Sequence, residues 1–239
     1  MSSEINLRRL ELTPRFFGTL ASGLPTLLER HGFYVTSFSL DGDLLSQWCR
    51  YADDGRGYCL EFVPGFLESS WKTTKGLTTF LISYDEQDIQ RRQRKCLADA
   101  SDYTHKGNVV RAVSEAPSPR EFVVGMQERI TSELLWNAIQ FKHPGYGDER
   151  EARVLVTGDL VELQSSPLHR TRPRGSELVS FIELPFSPSI RGSGILKCVR
   201  VGPAASVESV KSTKALLRSM GLSDVDVVQS TIPYRSAKS

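Results

Sequence analysis

The chain has 239 residues, with 30 Lys and Arg against 28 Asp and Glu and a formal net charge of +2. That length suits one large domain or two small ones, and 39% hydrophobic with 24% charged residues excludes global disorder. The near-balance of charge leaves no global nucleic-acid footprint, and no run of about 18 apolar residues exists to build a membrane-spanning helix.

Thr13-Pro14 reads as an N-cap followed by Pro at the first helical position. The helical stretch continues through Phe16, Leu20 and Leu27-Leu28, is interrupted near Gly23-Leu24-Pro25, and ends at His31-Gly32. Phe33–Ser39 (FYVTSFS) is aromatic and β-branched with alternating faces, which predicts a strand. Asp41 or Asp43 is expected to cap a short helix, LLSQWCRYA, that stops at DDGRG before the strand GYCLEFV. Thr78–Tyr84 predicts another strand, and DEQDIQRRQRKCLADASDY a surface helix with acidic residues favourably placed at its start. Ser118-Pro119 opens a further helix, whose apolar positions Phe122, Met126, Ile130, Leu134, Leu135 and Ile139 recur at helical spacing and mark a core face.

KHPGYGDEREARVLV then reads as a loop feeding a strand, and the chain turns strand-rich at Leu160–Leu163, Leu178–Leu184 and Ile195–Val201. Gly202-Pro203 leads into the helix SVESVKSTKALLRSM, with Gly221 at the expected C′ position, and VDVVQS is a last strand before TIPYR. No internal repeat, low-complexity tract or Gly/Ser/Pro-rich linker divides the sequence. The expectation is one α+β domain over 1–239, with an N-terminal helical segment 1–32 and an α+β core 33–235 built of mixed, mostly antiparallel twisted sheets flanked by helices.

Chemistry-bearing residues fall in a few places. If GDEREARVLV is a strand entered from a Gly-rich loop, Glu149, Glu151 and Arg153 project from one face, because strand side chains alternate. Two carboxylates and a guanidinium on one ridge can polarise a sugar hydroxyl or stabilise a developing cation; a charged, edge-protecting strand end is the plainer reading. Ser37 and Ser39 share a strand face, and Trp48 and Tyr51 lie three apart on a helix. Together they can form the wall and floor of a ligand cleft, or Trp48 and Tyr51 are core aromatics and Ser39 begins a helix cap.

Arg170, Arg172 and Arg174 recur at period two and can hold a pyrophosphate or a nucleic-acid backbone, although an exposed, flexible basic loop is the plainer reading. Arg91, Arg92, Arg94 and Lys95 read as a solvated helix face. His31, His105, His143 and His169 show no metal-ligand spacing, and there is no HExxH, GxSxG, Walker loop or GxGxxG. No metal is therefore expected. Cys49, Cys59, Cys96 and Cys198 form no CxxC pair, which argues for a reducing, cytoplasmic setting; the opening MSSEINLRRLELTPRFF lacks the order of a secretory signal. Cys49 and Cys59 read as small buried hydrophobes.

Taken in order, Tyr34-Val-Thr-Ser-Phe-Ser, Asp43-Leu-Leu-Ser-Gln-Trp48-Cys-Arg-Tyr51, Gly57-Tyr-Cys-Leu-Glu-Phe62, Lys142-His, Asp148-Glu149-Arg-Glu151-Ala-Arg153, Val201-Gly202-Pro203 and Ser230-Thr-Ile-Pro-Tyr-Arg235 resemble a widespread, mostly bacterial family of unknown function. The resemblance spans about Phe33 to Arg235, and the Ser-Phe-Ser/Trp-x-x-Tyr and Glu-x-Glu-x-Arg blocks are its most specific parts. That pattern in turn resembles the NAD-dependent ADP-ribosyltransferases, which include bacterial toxins and nucleic-acid-modifying members.

The second resemblance implies an ADP-ribosyltransferase-like fold and NAD as the small molecule. Ser37-Phe-Ser39 would match the hydroxyl-bearing strand and Glu149-Arg-Glu151 the acidic loop, with Glu151 as catalytic carboxylate and Glu149 orienting the acceptor. Trp48 or Tyr51 would stack near nicotinamide, and Arg153 would hold Glu151 or a phosphate. Members usually begin with a short strand resembling Tyr-His-Tyr-Thr, then a helix and an Asn-Asp-x-x-Glu segment. Met1-Ser-Ser-Glu4 corresponds to the end of that segment, so the cofactor-gripping histidine has no counterpart here. Truncation, supply by a partner, or lost activity each account for it.

Three functions follow as expectations. One is a glycosyl-transfer enzyme using NAD, acting as a toxin or antiviral effector on a macromolecular acceptor. Another is a catalytically inactive interaction or regulatory module of the same fold, binding a partner protein. The third is a nucleic-acid-binding protein using the Arg170–Arg174 ridge.

Overall fold

The structure is a computed structural model that describes residues 25, 27–63, 65–66, 74–105, 119–184 and 195–236. The start of the expected N-terminal helix, around Thr13-Pro14, Phe16 and Leu20, lies outside the described residues. The elements in chain order are β1 (His31–Ser39), α1 (Leu45–Tyr51), β2 (Tyr58–Phe62), β3 (Leu77–Leu81), α2 (Glu86–His105), α3 (Pro119–Ile139), a 3-10 turn (Pro144–Glu149), β4 (Glu151–Asp159), α4 (Leu160–Gln164), β5 (His169–Arg174), β6 (Glu177–Ile182), β7 (Leu196–Val201), α5 (Val207–Ser219) and β8 (Asp226–Gln229). The protein is α+β with mostly antiparallel sheets, β1-β4-β3, β2-β7-β8 and the pair β5-β6: β2 with β7, β3 with β4 and β5 with β6 run antiparallel, and β7 with β8 parallel. Among the described residues no helix is long and apolar enough to cross a membrane.

Chain contacts gather into two compact units. The first comprises Met1–Phe33, Ile82–Pro144 and Thr157–Ser166. In it, α2 starts where Asp85 Oδ1 accepts the backbone N–H groups of Gln87 and Asp88, satisfying donors that a helix start leaves open. The Cys96 thiol of α2 donates to Glu133 Oε2 of α3 (3.2 Å), and Ile130, on the face expected to be core, is buried. Leu160–Leu163, expected as a strand, is helical instead. The Asp159 carboxylate accepts from the backbone of Val161 (2.9 Å) and Glu162 (3.1 Å), and that cap outweighs the β-branched and apolar composition of LVEL.

The second unit comprises Tyr34–Leu81, Gly145–Val156 and Pro167–Ser239. β4 is the central strand of its sheet, and a strand covered on both faces reads as a continuous apolar run: Ala152, Val154, Leu155 and Val156 are all buried. Antiparallel pairing sets Phe80 opposite Arg153 and Leu81 opposite Ala152. Phe66 and Val154 centre one core cluster, with Phe38, Phe62 and Leu77 packed against them; Phe62 stacks on Phe66 at 4.4 Å and Phe38 meets both edge-on.

A second cluster sits under α5, where Leu217 packs with Val199 of β7 and Val225. α5 is the crossover that parallel β7 and β8 require. It closes as the sequence predicts: Gly221 has φ 73°, Leu222 N–H bonds to Leu217 O and Gly221 N–H to Arg218 O.

The turn between α1 and β2 is clamped from below. Gly202 N–H donates to Gly57 O and Ala204 N–H to Gly55 O, both at 2.9 Å. A Cβ on Gly202 would stand 2.2 Å from the Gly55 carbonyl oxygen, and a backbone atom cannot swing aside. Gly202→Ala is therefore expected to destabilise the protein by about 3 kcal/mol or more, through overpacking that separates these segments, read as a lowered urea midpoint.

Candidate functional site

The candidate site is built where β1, α1 and the entry to β4 meet in the second unit. Expected as one strand ridge, the acidic block divides in the structure: Glu149 ends the 3-10 turn, Arg150 takes a left-handed backbone (φ 43°), and the strand begins at Glu151. Glu151 and Arg153 do share a strand face, and alternation sends Ala152 and Val154 to the other.

Ser37 Oγ donates to Glu151 Oε1 (2.5 Å) across 114 residues of chain. Arg153 holds the same carboxylate with both arms of its guanidinium, Nε to Oε1 at 2.7 Å and Nη2 to Oε2 at 3.4 Å. Glu151 is only 5% exposed, so its charge is removed from water and compensated by Arg153. Glu149, 3% exposed, is compensated separately: Arg50 Nη1 donates to its Oε1 at 2.8 Å, and the Tyr51 hydroxyl lies 3.4 Å away. The Ser39 hydroxyl donates to the backbone oxygen of Glu149 (2.7 Å), tying β1 to the turn. Arg50 also covers the Tyr146 ring at 5.1 Å.

The six residues singled out with Arg153 and the cleft thus meet in part. Ser37, Ser39, Trp48 and Tyr51 all line one cleft of about 810 Å³, within the range of small-molecule sites. Glu149, Glu151 and Arg153 stand behind it, and Ala152 is the β4 residue that faces in. Ser37 is the link: it lines the cleft and is bonded to the carboxylate. Because its proton is committed to Glu151, its remaining lone pairs are acceptors.

Trp48 and Tyr51 take different places despite their helical spacing. Trp48 is buried, with its indole N–H on Asp43 Oδ1 (2.7 Å), whereas Tyr51 is 65% exposed. The same Asp43 oxygen accepts from Ser230 Oγ (2.7 Å). Asp43 was an expected helix cap; no side chain caps α1, whose N-cap is Leu44, and the indole has claimed the carboxylate.

Sequence reasoning passed over Arg50, Asp43 as an anchor, and the Lys197–Glu61 pair (2.9 Å) on the cleft wall. No spacing signal could have joined Arg50 to Glu149 or Lys197 to Glu61, 99 and 136 residues apart. The hydrogen bond and charge of Glu61 hold the Lys197 ammonium above its ordinary range. Asp148 is held below the usual carboxylate range by the Ser46 hydroxyl first and by Arg50.

Among the described residues no group of three His, Cys, Asp or Glu side chains is arranged to hold a metal. Cys49 is exposed, correcting its reading as a buried hydrophobe, while Cys59 is half-buried. Burial pushes the Cys59 and Cys198 thiols up, and burial with the Glu133 bond pushes Cys96 to about 11. Iodoacetamide at a pH of about 8 is accordingly expected to modify Cys49 first in the native protein, read by peptide mass mapping.

Residues 47–154 match a family described as a protein of unknown function (DUF2971). The matched segment holds Trp48, Tyr51, Glu149, Glu151 and Arg153; Ser37 and Ser39 precede it. No curated protein and no solved structure matches the chain.

Proposed function

We propose that the chain is an NAD-dependent ADP-ribosyltransferase-like enzyme. The observation that supports this reading most is the Ser37–Glu151 hydrogen bond, which brings the hydroxyl-bearing strand and the acidic block together at the wall of a cleft. NAD supplies a glycosidic bond whose cleavage leaves positive charge on a ribose, as in glycoside chemistry. Ser37 accepts a hydrogen bond from a ribose hydroxyl while donating to Glu151, so the negative charge lies one hydrogen bond behind the sugar. Arg153 fixes that carboxylate in place before the charge develops, which is the arrangement that makes electrostatic stabilisation effective. Tyr51, exposed on the cleft rim, offers a face for the nicotinamide ring, and the buried Glu149 behind the cleft holds Arg50, and with it the Tyr51 hydroxyl, in place.

The second reading is a catalytically inactive interaction module, favoured by the burial of both carboxylates and their engagement by Arg153 and Arg50. Nicotinamide release from NAD, followed chromatographically with the full chain, separates the two. Release supports the enzyme; no release and no NAD-dependent thermal shift supports the module.

A further inference from the structure

Arg170, Arg172 and Arg174, expected on a flexible loop, lie on an ordered strand of the β5–β6 hairpin. From Arg170 to Ser180 every residue of this ribbon except Val179 is exposed, so neither face of it serves as core. A two-stranded ribbon held out in solvent adds little to stability, which directs attention to what it could touch.

The register decides its chemistry. Arg170 pairs with Phe181, Arg172 with Val179 and Arg174 with Glu177, so the three arginines line one face at a repeat of about 7 Å. The Arg172 guanidinium lies over the Phe181 ring at 5.5 Å. Arg170 bonds to the carbonyls of Pro167 and His169 and pairs with Glu183, an exposed ion pair that a phosphate can replace at small cost. Counting Glu177 and Glu183, three guanidiniums face two carboxylates. The opposite face carries the Pro173–Leu178 pair beside the turn, with Leu178 77% exposed.

We propose that this hairpin is an arm that docks in a groove of double-stranded DNA, with the arginine face on the phosphates. Two strands about 5 Å apart fit a major groove about 12 Å wide, whereas the A-form groove of RNA is too narrow. The inference is independent of the cleft chemistry.

The experiment is fluorescence anisotropy of the full chain with a labelled DNA duplex of about two helical turns. Wild type is expected to bind, with affinity falling roughly ten- to fortyfold between about 50 and 200 mM salt for two or three phosphate contacts. Arg170→Gln/Arg172→Gln/Arg174→Gln, all at exposed positions, is expected to lose binding with its thermal unfolding unchanged. Arg91→Gln/Arg94→Gln on α2 is expected to bind as wild type. Absent binding, equal binding by the triple variant, equal loss in the α2 variant, or equal affinity for duplex RNA or polyglutamate would each overturn the proposal.

Discussion

Arg153→Met is expected to destabilise the protein by about 3–5 kcal/mol, seen as a lower urea midpoint with an unchanged slope. The cause is what remains rather than what is removed. Glu151 is 5% exposed, and without the guanidinium its buried carboxylate loses the cation that compensates its charge. Removing both members together, in Glu151→Gln/Arg153→Met, is expected to cost much less than the sum of the single changes. A double-mutant cycle reads that coupling directly, and additive losses would mean that the two side chains act separately.

The second large effect concerns the reaction. Glu151→Gln is expected to lower kcat for nicotinamide release by about 10²–10³-fold with little change in KM, because a charge that meets only a developing cation acts in the transition state. Glutamine keeps the shape of the side chain but removes the charge that Arg153 pairs with, so thermal unfolding of the variant is measured alongside kcat. Ser37→Ala is expected to cost about 10- to 100-fold, the range for a lost hydrogen bond to a charged group, and Ser37→Thr to recover part of it. Thermal unfolding of Ser37→Ala close to wild type would separate this loss from instability, since Arg153 still holds Glu151 in that variant.

Much of the fold can be read in the order of residues. β1, α1 and β2 follow from alternating aromatic and β-branched residues broken by DDGRG, and the end of α5 follows from Gly221. Local chemistry misled at two places. LVEL has strand composition, yet the neighbouring Asp159 carboxylate starts a helix there. HRTRPR has loop composition, yet it pairs residue by residue with ELVSFI across a two-residue turn.

The site is less legible than the fold. In the sequence only a family resemblance joins Ser37 to Glu151, since a separation of 114 positions carries no spacing signal. The two glutamates looked equivalent at i and i+2, and the left-handed Arg150 between them gives each its own arginine from a different element. Trp48 and Tyr51 looked like one face, and the Asp43 carboxylate drew one of them inward.

The most direct measurement is a crystal structure of the Glu151→Gln protein soaked with NAD. The account predicts a ribose hydroxyl within about 3 Å of Ser37 Oγ and the dinucleotide lying in the 810 Å³ cleft beside Tyr51. A dinucleotide bound away from Ser37, or an empty cleft at saturating NAD, would contradict it.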